Sequence, residues 1–313
     1  MRRLLKPWYV WRPWQLAHRV RAMWAQPCSG YTALPVAWGV SVIADPRKTI
    51  GRSIWTTGIY DLTVSEVLAR LIRPGDTVLD AGANVGYMTL LAGVAAGPSG
   101  HVVAWEPHPD LYSVLRRNVL AVSAAGRCAD ISVRHAALGQ SGGVANLIIP
   151  PEIDSNDGLS YIGEGRGQER AIRVAVETID QVVGTEQIAV MKLDVEGSER
   201  RVLEGAAKAL SSGRITHVVF EDHAGPDSEV VRLLLSEGYE IFSIGWTLRG
   251  PRLSRLAGEC LATAYEAPSY IASLAPDDVR DRCRSAGWMT LRASFSRRRV
   301  REAVAEIGRQ RCA

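Results

Sequence analysis

Residues 78–90 read VLDAGANVGYMTL. Two apolar residues run into Asp80, Gly82 and Gly86 bracket Asn84, and a helix-forming stretch follows. A strand that enters a helix through a glycine-rich turn is a nucleotide-binding arrangement, because glycine lets the backbone approach a ligand closely. The surroundings repeat the pattern. TVLDA, HVVAWE, ISVRHAAL, IAVMKLD, THVVFED and YEIFSI read as strands. VGYMTLLAGVA, DLYSVLRRNVLAV, SERRVLEGAAKAL and SEVVRLLLSEG read as the helices between them. Such alternation predicts an α/β, doubly wound parallel sheet with helices on both faces. Ligands of these sheets sit at the carboxyl ends of the strands, which is where Asp80, Glu106, Asp194, Glu221 and Asp222 fall.

The turn also discriminates between nucleotides. A nicotinamide fingerprint has glycine where Asn84 stands, and a carboxylate at Asp80 would repel a diphosphate. No GxxxxGK[ST] motif is present, so a phosphate-cradling loop is absent. A nucleoside without phosphates and with a cationic end fits instead, as in S-adenosylmethionine. Its ammonium group is expected at Asp80, directly or through water, with Gly82 and Gly86 allowing close approach. Glu106, twenty residues after Gly86, is placed to accept both ribose hydroxyls.

Composition bounds the remaining choices. Hydrophobic content of 47% and charged content of 22% over 313 residues are those of an ordinary folded protein able to bury a large core. The five cysteines (28, 128, 260, 283 and 312) show no paired spacing, which excludes a disulfide framework or zinc motif and suits a reducing, cytoplasmic setting. No apolar run is long enough to span a membrane. Six Lys/Arg and no acid precede Asp45, and from Leu291 seven arginines face two glutamates. Basic ends on an acidic body argue against a nucleic-acid channel.

Residues 14–25 place Trp14, Ala17, Val20 and Trp24 at helical spacing beside His18, Arg19 and Arg21. This face would either dock on the domain, the preferred reading, or make a weak contact with an anionic membrane surface. PVAWGVSVIA and SIWTTGIY, split by DPRKT, suggest a small sheet over the core's entrance. Thr63 is expected to cap a helix through about Ile72, with Glu66 completing a capping box. Residues 139–171 read as a long irregular insert. The resulting division is a basic helical extension (1–32), a small β cover and helix (33–74), a cofactor-binding domain (75–272) and a basic helical tail (273–313).

Taken together, Asp80–Gly86, Trp105–Glu106–Pro107 and KLDVEGSE at 192–199 resemble the FkbM-type methyltransferases, a branch of the class I S-adenosylmethionine-dependent enzymes. The flanks Trp38–Gly39, Gly58–Asp61, Ala137–Gly139 and Gly238–Tyr239 are similar too. Asp61, Gln140 and Ser198 depart from the usual pattern, Asp61 standing where the family mostly has Glu. The resemblance implies a seven-stranded Rossmann-like sheet with one antiparallel strand, and methyl transfer, usually to a hydroxyl oxygen. The expected cofactor site is Asp80, Gly82, Asn84, Gly86, Glu106 and Ala137.

Methyl transfer to an alcohol requires the acceptor to be positioned and its proton removed. Asp194, at the end of a strand adjacent to Asp80's, is the first choice for holding or deprotonating the acceptor. Glu196 is either a second carboxylate in the site or a partner for the following helix N-terminus. Lys192 either pairs with Asp194 or points away, and His223 is a further candidate base. No carboxylate spacing demands a metal. The expected acceptor is a small molecule or carbohydrate, walled by residues 33–61 and by the insert with Asn156–Asp157–Gly158. An N-methyltransferase or a non-catalytic, membrane-associated scaffold are the competing readings, and the oligomeric state is left open.

Overall fold

Strands of this chain carry apolar residues on both faces, so they fold into a sheet covered on two sides. A computed structural model describes all residues except 1–5, 25, 26, 28, 125, 127, 152–157, 165–168, 257–267, 297 and 300–313. Asn156, Asp157, three of the five cysteines and the end of the basic tail lie outside the described residues.

Helices α1 (Pro7–Val10) and α2 (Trp14–Trp24) precede a hairpin of β1 (Thr32–Pro35) and β2 (Ser41–Ala44), then α3 (Thr49–Thr57) and α4 (Leu62–Leu71). The alternating part follows as β3 (Thr77–Ala81), α5 (Tyr87–Ala96), β4 (His101–Trp105), α6 (Pro109–Ser123) and β5 (Asp130–Arg134). Four strands, β6 (Ala137–Leu138), β7 (Gly143–Ile149), β8 (Tyr161–Ile162) and β9 (Arg170–Glu177), make a second sheet. The chain returns through α7 (Ile179–Val183), β10 (Ile188–Leu193), α8 (Glu199–Glu204), α9 (Ala207–Ser211), β11 (Ile215–Glu221) and α10 (Glu229–Ser236). It closes with β12 (Glu240–Thr247), β13 (Gly250–Arg255), β14 (Ser269–Ser273) and α11 (Pro276–Arg284).

The central sheet has the order β13-β12-β14-β11-β10-β3-β4-β5. Neighbours from β11 to β5 run parallel, and β14 runs antiparallel between β11 and β12. The expected seven strands with one antiparallel member are therefore present, and β13 adds an eighth along the edge. Alternate residues of one strand enter opposite cores. Val78, Val102 and Val190 pack in one cluster, while Leu79, Val103 and Met191 pack in the other.

Several local expectations are corrected. SIWTT is helical rather than extended, because Ile50, Ile54 and Thr57 bury one face of α3 and Gly58 ends it at φ +75°. The cap of α4 is Asp61, whose Oδ1 accepts from Val64 N and Thr63 Oγ1. Glu66 is fully buried and serves another purpose: it pairs with Arg70 at 2.8 Å and accepts from Met289 N, Thr290 N and Thr290 Oγ1. ISVRHAAL divides at His135–Ala136, sending Ala137–Leu138 into the second sheet. Within the expected irregular region 139–171 the structure places β7, β8 and the start of β9, β7 pairing antiparallel with β9 along its whole length. SERRVLEGAAKAL breaks at Gly205, where a Cβ would collide with the Gly139 carbonyl oxygen. In α2 the expected docked face is turned outward: Trp14 is 61% and Val20 51% exposed, and Gln15 is buried instead.

Candidate active site

The strand ends open into a cavity of about 310 Å³. Its floor is the turn after β3, from Gly82 to Asn84, and one flank is Trp105–Pro107 at the end of β4. The opposite flank is Lys192 and Asp194–Glu196 after β10, with Glu221 and His223 after β11. Ala137, Leu147 and Leu159–Ile162 of the second sheet cover it, and Thr49, Ile50 and Tyr60 close the remaining side.

Backbone strain gathers here. Asp61 (φ +36°), Asn84 (φ +52°) and Glu196 (φ +52°) are the non-glycine residues with positive φ among those described. Asn84 and Glu196 line the cavity, and Asp61 lines an adjoining recess shared with Asp194 and Glu221. Left-handed backbone at non-glycine residues costs about 1–3 kcal/mol each and persists where the surroundings impose it. At Gly82 (φ +84°) a Cβ would overlap the Asp194 carbonyl oxygen. Asp194 N donates to Ala81 O at 3.1 Å and Lys192 Nζ to Gly82 O at 3.0 Å, so the turns after β3 and β10 are latched together.

Glu106 is the best-prepared group for two hydroxyls. Its Oε2 accepts from Asn84 N at 2.7 Å and its Oε1 from His108 N at 2.8 Å, which fixes the carboxylate at the cavity wall. Burial raises its pKa to about 7 despite those two amides, and donors from a ribose would favour the charged form. Asp80 behaves differently from Glu106. It is 1% exposed and stands behind the glycine turn rather than on the cavity wall. Thr89 Oγ1 donates to its Oδ2 at 2.5 Å, and its buried Oδ1, with no hydrogen-bond partner, lies 3.8 Å from Lys192 Nζ. Gly82, Asn84 and Ala137 line the cavity; Gly86 caps α5 in the left-handed conformation and packs on Leu115.

Lys192 does not point away. Its Nζ lies 3.1 Å from Asp194 Oδ2; burial works against its charge, but Asp194 and Asp80 outweigh this and push its pKa up. Glu196 is pushed up to about 7 by burial, then by Asp194 and Glu199. Glu221 goes further, to about 8, through burial and the charges of Asp194, Asp61 and Glu196. His223 is 80% exposed, with Nε2 3.5 Å from Glu221 Oε1. Asp194 and Glu221 are shared by the main cavity, the recess beside Asp61 and an outer groove toward Asp222 and Ser228. No role for Glu221 follows from the sequence by itself; its position at the end of a strand, in FEDH, was the available signal. Among the described residues no group of three His, Cys, Asp or Glu side chains is arranged to hold a metal ion.

The donor set fits S-adenosylmethionine. A carboxylate clamped by two amides stands at the cavity wall, a glycine turn leaves room for a ligand's close approach, and carboxylates outnumber the cation at the other end of the cavity. Residues 80–241 match the Methyltransferase FkbM domain. The chain is 32% identical over 203 residues to the 31-O-demethyl-FK506 methyltransferase FkbM of Streptomyces tacrolimicus, covering 54% of this chain and 75% of that protein. It is 31% identical over 193 residues to the hexuronic acid methyltransferase AglP of Haloferax volcanii, covering 59% and 72%. The crystal structure of methyltransferase FkbM from Methylobacillus flagellatus aligns at 16% identity with a TM-score of 0.39, over 72% of this chain and 56% of that one. The chain belongs to the FkbM methyltransferase family and is an S-adenosylmethionine-dependent methyltransferase.

Proposed function

We propose that the chain methylates a hydroxyl group of a small molecule or carbohydrate, with Glu221 taking the acceptor's proton and Asp194 orienting the acceptor. The observation that carries this reading is the convergence of these two carboxylates where the cavity, the recess and the outer groove meet. The names of two relatives, one a 31-O-demethyl-FK506 and one a hexuronic acid methyltransferase, support an oxygen acceptor. Bound S-adenosylmethionine supplies an electrophilic methyl carbon and a neutral thioether leaving group.

The protein's own work is positional and electrostatic. Asp194, tied to Lys192 at 3.1 Å, is suited to accept a hydrogen bond from the acceptor; protonating it would strip a buried cation of its counter-charge. At Glu221 burial and the charges of Asp194, Asp61 and Glu196 outweigh the pull of Lys192, so a proton reaching it relieves repulsion. In the methyl transfer the acceptor's hydroxyl proton would pass to a Glu221 carboxylate oxygen. His223 Nε2, 3.5 Å away and exposed, passes it to solvent. Glu196 walls the acceptor side. The buried free thiols of Cys128 and Cys283 support a reducing, cytoplasmic setting.

Incubation with methyl-labelled cofactor and a panel of sugars, glycolipids and hydroxylated metabolites tests the reading by mass spectrometry. Labelled ether products support it, and label confined to nitrogen overturns it. With the acceptor so found, Glu221→Gln is expected to lower turnover about 10²–10⁴-fold with cofactor affinity unchanged. Wild-type turnover is expected to climb as pH rises through about 8, because the base must be unprotonated, and the variant loses that step. Asp194→Asn is expected to raise the acceptor's KM and keep the pH step. A pH step that survives in Glu221→Gln removes Glu221 as the base.

A further inference from the structure

We propose that the outward face of α2, with the end of α1 and the turn between β12 and β13, is a docking surface for anionic lipid headgroups. The proposal is independent of the acceptor's identity. Large apolar side chains exposed in the described residues include Val10, Trp14, Leu16 and Val20, all within one eleven-residue stretch. Leu248 joins them, since Trp11 Nε1 donates to the Leu248 carbonyl oxygen at 2.8 Å and Leu248 is 39% exposed. Scattered exposed apolar residues are ordinary, but a cluster of them marks a contact.

The charge around this cluster identifies the partner. Arg19 lies over Tyr9 at 5.6 Å, Lys6 over Trp8 at 4.8 Å and Arg292 over Trp11 at 5.3 Å. Arg249 is exposed next to Leu248, and no acidic residue precedes Asp45 in the chain. Tryptophan beside arginine, on a helix of alternating character, is the composition of an interfacial segment that lies in the headgroup layer. No described helix is long and apolar enough to cross a membrane, so the contact is peripheral. A protein partner or second copy would be matched by an apolar face with mixed charge; here the charge has one sign. Helix α2 packs against α3, whose Thr49 and Ile50 line the cavity. Docking therefore brings headgroups within one helix of the active site.

Co-sedimentation of the full chain with vesicles of phosphatidylglycerol and phosphatidylcholine, and of phosphatidylcholine alone, tests this. Binding is expected to the anionic vesicles, and to fall as salt rises from about 0.1 to about 0.5 M. Trp14→Glu with Val20→Glu is expected to weaken it at least about tenfold while cofactor affinity stays at the wild-type value. Trp14→Ala with Val20→Ala is expected to fall between, which guards against misfolding of the charged variant. Absence of binding, equal binding to neutral vesicles, or binding that survives both substitutions overturns the proposal. So does a wild-type dimer that these substitutions split in light scattering, which would assign the face to a second copy.

Discussion

At the scale of single residues, the cofactor end of the site depends on groups whose geometry is set before any ligand arrives. Glu106 is held by two backbone amides. Glu106→Ala is expected to weaken S-adenosylmethionine binding by about 1–3 kcal/mol through lost charge-assisted hydrogen bonds, measured by calorimetry; unchanged affinity would remove it as the ribose ligand. Gly82 faces a different constraint. Both its φ of +84° and the Asp194 carbonyl oxygen oppose a Cβ, so Gly82→Ala is expected to separate the turns after β3 and β10. Cofactor binding and thermal stability should fall together, whereas Glu106→Ala should affect binding far more than melting. Much of this end was legible: D-x-G-x-x-x-G followed at the right distance by a glutamate has few other uses. That Asp80 stands behind the turn was not legible, because a sequence places a residue at a strand end without saying which side of the following loop it supports. The weight of Glu221 was hidden for a similar reason. Its proton affinity comes from burial and from Asp194, Asp61 and Glu196, which the separate segments around residues 61 and 194–196 bring to it.

At the scale of elements, α4 shows how a local pattern misleads. Asp61, Thr63 and Glu66 offer two overlapping capping patterns, and the structure caps with Asp61 because Glu66 is bound elsewhere. Its partners Met289 and Thr290 lie 223 and 224 residues away, beyond any window of local reading. Arg70 extends the joint by donating to the carbonyls of Arg282, Ser285 and Gly287. With side-chain exposures of 0% and 2%, this pair is costly to break singly, so Glu66→Gln is expected to destabilise by about 3–5 kcal/mol in chemical denaturation. Restoring the C-terminal joint by cofactor addition is not expected, since Glu66 is remote from the cavity lining. The central sheet was readable because its strands are apolar on both faces. The cavity's cover was less so: β7 and β9 carry many exposed positions, and such strands look like loop in composition.

At the scale of the whole molecule, the clustered carboxylates couple stability to pH. Glu106, Glu196 and Glu221 rise from 4.5 to about 7, 7 and 8 in the folded chain. Their contribution is therefore complete below about pH 4.5 and is lost as pH rises through 7–8, because the unfolded chain ionises them first. Glu177, lowered by its hydrogen bond to Arg134, acts in the opposite sense and loses its contribution as pH falls through its folded value. The melting temperature of the ligand-free protein is expected to decline between about pH 5 and about pH 8, and Glu221→Gln should flatten that decline. A melting temperature that rises over this interval would contradict the burial of the three groups.

The position of β14 has a consequence for how the chain comes to exist. Residues 269–273 insert between β11 and β12, antiparallel to both, although those two strands are made earlier. As the polypeptide leaves the ribosome, β11 and β12 each emerge with an open edge that has no lasting partner until about fifty more residues have followed Glu221. Those edges are apolar and fully able to pair with another nascent chain. Joining β12 to the rest of the sheet must therefore wait until Ser273 has been made, which makes this part of folding late and non-local. A ribosome stalled before Ser269 would release a product with two unsatisfied strands, a natural target for chaperones and for degradation.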